Sequence, residues 1–272
     1  MQDLLILAAI FSMSVVSGML GIGVAFAAIP ILSLGNMDLV NEVQPVALFL
    51  NGITALFSAV AFARAGYVEW RKSAQLAAVA TVFSPLGALA ALHTGELVLW
   101  GCYFVAVAGI LYFLLRKREE EQERLPFVRV LALSAPIAAL SGLLGVGAGF
   151  LLVPLMVFSG FTTHRAAAMN SVAVVPASFA ALVPHIGSAT VSVSSALPIV
   201  ICAAVGAFLG GFLSSRTISE KALRRVFIVV IVALAGYKLV TLVDHELQAA
   251  ATAGECVQPS FVFVDSAASS CP

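Results

Sequence analysis

Charge is what this sequence has least of. Asp, Glu, Lys and Arg make up only 10% of its 272 residues, where a water-soluble domain carries about 25%. The formal net charge is zero, and no basic face offers itself to nucleic acid. Histidines number four and show no metal-ligand spacing. The four cysteines lack a CxxC pair: Cys102 and Cys202 sit inside apolar segments as small hydrophobes, while Cys256 and Cys271 lie in the tail and would pair only in an oxidising compartment. No Asp or Glu lies deep in an apolar segment, so there is no acidic proton relay. The glycine clusters lack the βαβ setting of a dinucleotide fingerprint, and no cofactor is expected. An intramembrane hydrolase needs a nucleophile with a base at mid-membrane, yet His93, His164, His185 and His245 all fall in loops or at segment edges. The chain therefore does not read as an enzyme. Met1-Gln2-Asp3 has no basic n-region, so the first apolar run reads as mature membrane protein rather than a signal peptide.

What is present is apolar length. Hydrophobic residues reach 61% and fall into eight stretches: Leu4 to Leu34, Val43 to Ala63, Ala74 to Leu92, Leu97 to Leu115, Pro126 to Phe158, Ala166 to Pro184, Val193 to Leu213 and Ala222 to Val243. Most approach the roughly 20 residues of a membrane-spanning helix. Arg64, Arg71 and Lys72 fall between the second and third stretches; Arg116, Lys117, Arg118 and Arg124 between the fourth and fifth, with Arg129 just beyond. Arg165 precedes the sixth stretch, Arg216, Lys221, Arg224 and Arg225 lie around the seventh loop, and Lys238 lies near the end of the last. The loops at 35–42, 93–96 and 185–192, and the tail at 244–272, carry no Lys or Arg. Cation-rich loops mark the cytoplasmic side. This puts both ends of the first stretch outside and both ends of the fifth inside, which suits two re-entrant or broken hairpins better than two simple spans. Eight simple spans with weak charge bias is the other reading.

Glycines supply the breaks. Ser17-Gly18-Met19-Leu20-Gly21-Ile22-Gly23-Val24-Ala25-Phe26-Ala27-Ala28-Ile29-Pro30 aligns without gaps on Ser141-Gly142-Leu143-Leu144-Gly145-Val146-Gly147-Ala148-Gly149-Phe150-Leu151-Leu152-Val153-Pro154, with seven of fourteen positions identical. Downstream, Asn51-Gly52 answers Asn170-Ser171, and Gly87-Ala88-Leu89 answers Gly206-Ala207-Phe208. The sequence thus predicts an all-α, polytopic transmembrane bundle of two repeats. Repeat 1 covers 1–115 (hairpin 4–34, spans 43–63, 74–92 and 97–115), a connector covers 116–125, repeat 2 covers 126–243 (hairpin 126–158, spans 166–184, 193–213 and 222–243), and 244–272 is an external tail. Three spans per repeat is odd, so the second copy is inverted, the plan of many secondary transporters. Both termini are then external, and the two hairpin arms of each repeat are expected to have about 12 to 15 residues apiece.

That plan brings the second half-helix of each hairpin to mid-membrane with its free N–H groups and positive dipole end inward. Helix amino termini bind anions without charged side chains, and glycine allows close backbone approach. The candidate site comprises Gly21, Gly23, Val24, Ala25 and Asn51 from repeat 1 and Gly145, Gly147, Ala148, Gly149, Asn170 and Ser171 from repeat 2, with Arg165 at the cytoplasmic mouth. Each has a plainer reading: Asn51 and Asn170 as interhelical hydrogen-bonders, Ser17 and Ser141 as caps, the glycines as close-packing residues, and Arg165 as a topology anchor. Pro30, Pro154, Pro176 and Pro184 read as kinks or helix ends, and His93 and His185 as surface residues of external loops.

The stretch from Ser141 to Pro154, followed by Ala168-Met169-Asn170-Ser171, resembles the sulfite exporter TauE/SafE family of membrane permeases over roughly residues 4 to 243. The resemblance implies export of sulfite or an organosulfonate such as sulfoacetate across a bacterial inner membrane. Family members commonly carry adjacent glycines after the first Gly-x-Gly, where this chain has Val24-Ala25 and Ala148-Gly149; the first site is then narrower or more apolar. Asn170-Ser171 stands where the family often has Thr-Ser beside a small residue, which implies amide and hydroxyl donors for the ligand.

Overall fold

A left-handed glycine ends the first helix, and the same device recurs in the second half. The computed structural model describes residues 2–32, 43–115, 125–145, 149–185 and 193–219, with scattered residues from 221 to 240. All regular structure among them is helical. The helices are α1 (Gln2–Leu20), α2 (Ala25–Leu32), α3 (Gln44–Arg64), α4 (Trp70–Ala91), α5 (Glu96–Leu115), α6 (Phe127–Leu143), α7 (Gly149–Phe158), α8 (Thr163–Leu182) and α9 (Val193–Thr217), with a 3₁₀ turn, Val183–His185, after α8. The 116–124 part of the connector, the loops at 33–42 and 186–192, most of the 222–243 span and the tail with Cys256 and Cys271 lie outside the described residues.

Gly21 adopts φ 63° and Gly145 φ 67°, a region closed to most L residues. After Leu20 the chain closes with Gly21 N–H donating to Gly18 O at 3.3 Å and Ile22 N–H to Ser17 O at 3.3 Å, a glycine-terminated helix end that satisfies otherwise orphaned carbonyls. Helix resumes at Ala25, and in the second half it is described again from Gly149. The first arms are longer than the expected 12 to 15 residues, α1 with 19 and α6 with 17; the second arms are described over Ala25–Leu32 and Gly149–Phe158. An apolar run hides where its turn lies until the glycine geometry places it.

Four described helical stretches, Gln44–Arg64, Trp70–Ala91, Thr163–His185 and Pro198–Thr217, are long and apolar enough to cross a membrane. α4 starts ahead of its apolar run because Trp70, Arg71 and Lys72 form its first turn. Pro154 and Pro176 lie inside α7 and α8 rather than ending them.

The helices interleave. α1 packs along α9, and its repeat counterpart α6 packs along α4; α3 also lies on α9, α8 on α4, and α3 and α8 pack on each other. The α3 and α8 spans are 61% buried, against 33% for the α4 span and 39% for the α9 span, so α3 and α8 form the centre. Small residues set the seams. A Cβ at Gly18 would overlap the Ala207 backbone, and one at Gly142 the Ser84 backbone. Likewise one at Gly87 would strike Ala139 and Leu143, and one at Gly210 would strike Val15 and Met19. Ser84 therefore answers Ala207, and Gly87 answers Gly210. This corrects the alignment of Gly87 with Gly206, which instead approaches Phe11 and Ser14. In a stretch so rich in Gly and Ala, identity alone leaves the register ambiguous by a turn.

Candidate functional site

The two helix breaks meet at one side chain. Asn170, on α8 and fully buried, donates from Nδ2 to Gly21 O at 2.7 Å and to Gly149 O at 3.1 Å. It thereby ties the end of α1 to the start of α7. A Cβ added at Gly149 would lie 2.6 Å from Ile22 O and 2.9 Å from Asn170 Nδ2, so glycine at this position is what lets the two backbones come together. Of the expected site residues, Gly21, Gly149 and Asn170 are in this junction. Gly147 and Ala148 lie outside the described residues.

Asn51 behaves differently. Also fully buried, it accepts from Ala25 N–H through Oδ1 at 3.0 Å and donates through Nδ2 to Ser178 Oγ at 2.9 Å. Thr54 Oγ1 accepts from Val24 N–H at 3.2 Å. The N–H groups of Val24 and Ala25, expected to face a ligand, thus meet side chains of α3. Gly23, at φ 75°, sits so close to Asn51 that a Cβ would collide with the amide. Thr54 and Ser178 were not among the expected residues. Thr54 lies one helical turn beyond Asn51 and so shares its face, a signal the spacing did contain. Ser178 meets Asn51 only through the α3–α8 crossing.

The second break has no equivalent of Thr54: one turn beyond Asn170 stands Ala173. Asn170 Oδ1 has no hydrogen-bond partner among the described residues, and neither do Ser17 Oγ, Ser84 Oγ, Ser141 Oγ and Gln44 Oε1, all in fully buried residues. A buried polar atom left so costs about 1–3 kcal/mol. The serines before the breaks are therefore not acting as caps. Ser171 is satisfied by its own helix, donating to Ala168 O at 2.8 Å. Gly145 packs against the Gln44 side chain, whose Nε2 donates to Leu143 O at 3.4 Å.

A second polar cluster gathers where α3, α4, α6, α8 and α9 begin or end. Glu69 accepts from Lys72 at 2.7 Å and from Arg165 at 3.4 Å. Lys72 Nζ lies 5.0 Å from the Phe161 ring centroid and 5.7 Å from that of Phe127. His164 stacks on Tyr67 at 5.4 Å, and its Nε2 is 3.0 Å from Ser214 O. Arg165 is accordingly exposed and paired rather than free. His93 is exposed, whereas His185 is fully buried, which corrects its reading as a surface residue: the 3₁₀ turn folds it inward beneath α8. Cys102 and Cys202 are free thiols, both half-buried. Among the described residues no three His, Cys, Asp or Glu side chains gather as a metal site.

The family model described as "Sulfite exporter TauE/SafE" matches residues 5–238. A curated relative from Xylella fastidiosa (strain 9a5c), described as "Probable membrane transporter protein", is 29% identical over 236 residues, covering 81% of this chain and 88% of its own length. No solved structure matches the chain.

Proposed function

The chain belongs to the sulfite exporter TauE/SafE family, a family of membrane transporters rather than enzymes, and from that premise we propose that it exports a small anion, sulfite or an organosulfonate such as sulfoacetate. The observation that carries the reading is the junction itself: two sequence-related helix breaks, from opposite halves of the chain, joined through Asn170 to Gly21 and Gly149. The start of α7 supplies the positive end of a helix dipole there. The halves act as inverted repeats, each with a re-entrant arm, and rock about the junction so that the site opens to each side in turn. The bilayer is the bacterial inner membrane, with both termini outside and the cluster around Glu69 and Arg165 at the cytoplasmic mouth. Outward movement of one negative charge from a cell negative inside is favoured by roughly 2.3 kcal/mol per 100 mV, so no coupling carboxylate is required.

The test is flux of sulfite and sulfoacetate from liposomes containing the purified chain under an imposed potential. Potential-dependent flux that falls at least tenfold in Asn170→Ala, with the helical content intact, supports the site. Absence of flux of either anion from folded protein removes the assignment. Turnover at channel rates would replace alternating access by a pore lined by the same junction.

A further inference from the structure

The junction offers more than donors. Because Asn170 Nδ2 is held between two carbonyl acceptors, Gly21 O and Gly149 O, the opposite amide orientation would set oxygen against oxygen. The orientation is therefore fixed, and it leaves Oδ1, an acceptor, fully buried and unpartnered among the described residues. Beside it α7, ten residues long, begins at Gly149, where no hydroxyl corresponds to Thr54. An anion with no hydrogen to donate would meet the lone pairs of Oδ1 unfavourably. An anion that also carries an O–H satisfies both groups at once.

We propose that the ligand of this junction is a singly protonated oxyacid anion, its O–H donating to Asn170 Oδ1 and its charged oxygens facing the N–H groups at the start of α7. The inference rests on reading the junction as the anion site and names the protonation state that site selects. Among sulfur anions, hydrogen sulfite in its O-protonated form fits; sulfite dianion, sulfate and sulfonates carry no such hydrogen near neutral pH. The proton comes from the ligand, because the surrounding helices have none to lend in the junction. Their charged or titratable side chains among the described residues are Asp3 on α1, Arg64 on α3, Arg71 and Lys72 on α4 with Glu69 before it, Arg129 on α6, and His164 and Arg165 on α8, all towards helix ends, with His185 buried in the 3₁₀ turn after α8 and, on α9, Cys202 within the helix and Arg216 at its end. α2 and α7 carry no charged or titratable side chain, and on α5, which packs on α7, Glu96 is at the start, with Cys102, Tyr103 and Tyr112 the remaining titratable groups.

Equilibrium binding of sulfite and of methanesulfonate to the full chain in nanodiscs, measured by calorimetry from pH 6 to pH 9, tests this. Methanesulfonate does not change its protonation over that range and reports any change in the protein itself. The expected result is sulfite affinity that weakens about tenfold per pH unit once the hydrogen sulfite form is depleted, with methanesulfonate weak and flat throughout. Sulfite affinity that stays level to pH 9, or methanesulfonate binding as tightly as sulfite at pH 6, overturns the protonated-ligand inference while leaving an anion site standing. Failure of both anions to bind at any pH removes the anion site and this inference with it.

Discussion

The first break is capped by side chains of α3, and the second is tied to the first by a residue of α8. In repeat 1, Asn51 and Thr54 of α3 accept the N–H groups of Ala25 and Val24, so the start of α2 is satisfied internally. In repeat 2 the related Asn170 turns its amide the other way, onto the carbonyls of Gly21 and Gly149, and Ala173 replaces the hydroxyl. Two copies of one motif are held differently: the start of α2 meets side chains of α3, and the start of α7 is tied through Asn170 to the end of α1. A duplicated motif need not be a symmetric one.

The largest effect that sharpens this comparison concerns what the halves still share. Gly18→Leu and Gly142→Leu each drive a side chain into the backbone of a partner helix, Ala207 and Ser84 respectively. Each should cost about 3 kcal/mol or more and lower the melting temperature in detergent by similar amounts; a marked inequality would show that the two seams are not equivalent. Next, Asn51→Ala orphans the Ala25 N–H and the Ser178 hydroxyl, a loss of about 1–3 kcal/mol. It should leave anion binding by the remaining folded protein within about threefold of the unsubstituted chain, a difference under 1 kcal/mol. If Asn51→Ala weakens binding as much as Asn170→Ala, the division of labour is wrong. The smallest change is Thr54→Ala, which makes the first break resemble the second at about 1 kcal/mol; a thermal scan reads it, with flux expected to be unchanged.

Much of the architecture was legible because glycine and charge have narrow physical meanings. Gly21 and Gly145 both take positive φ, and their repetition was visible in the sequence as an interruption of apolar length. Helices α3, α4, α5, α8 and α9 occupy long apolar stretches that polar residues bound in the sequence. Arm length was hidden, because residues 4–20 and 25–32 are equally apolar and only the turn geometry divides them. The seam register was hidden because Gly206, Gly210 and Gly211 are chemically alike and only the approach of α1 distinguishes them. The opposed orientations of Asn51 and Asn170 were hidden for a deeper reason. Which way an amide turns depends on carbonyls and hydroxyls brought from residues far away in the chain, Ser178 for one and Gly21 for the other.

The interleaving of α1 with α9 also bears on how the chain is made. Gly18 emerges early in synthesis, yet the Ala207 surface it fits follows about 190 residues later, a delay on the order of 10–40 s at ordinary rates of elongation. For that interval the first helix meets α3, whose Ser58 hydroxyl donates to Gly18 O at 2.8 Å, while the surface that fits α9 awaits its native partner. The last described helix of the second half is thus the one that completes the first, so the halves mature together rather than one after the other.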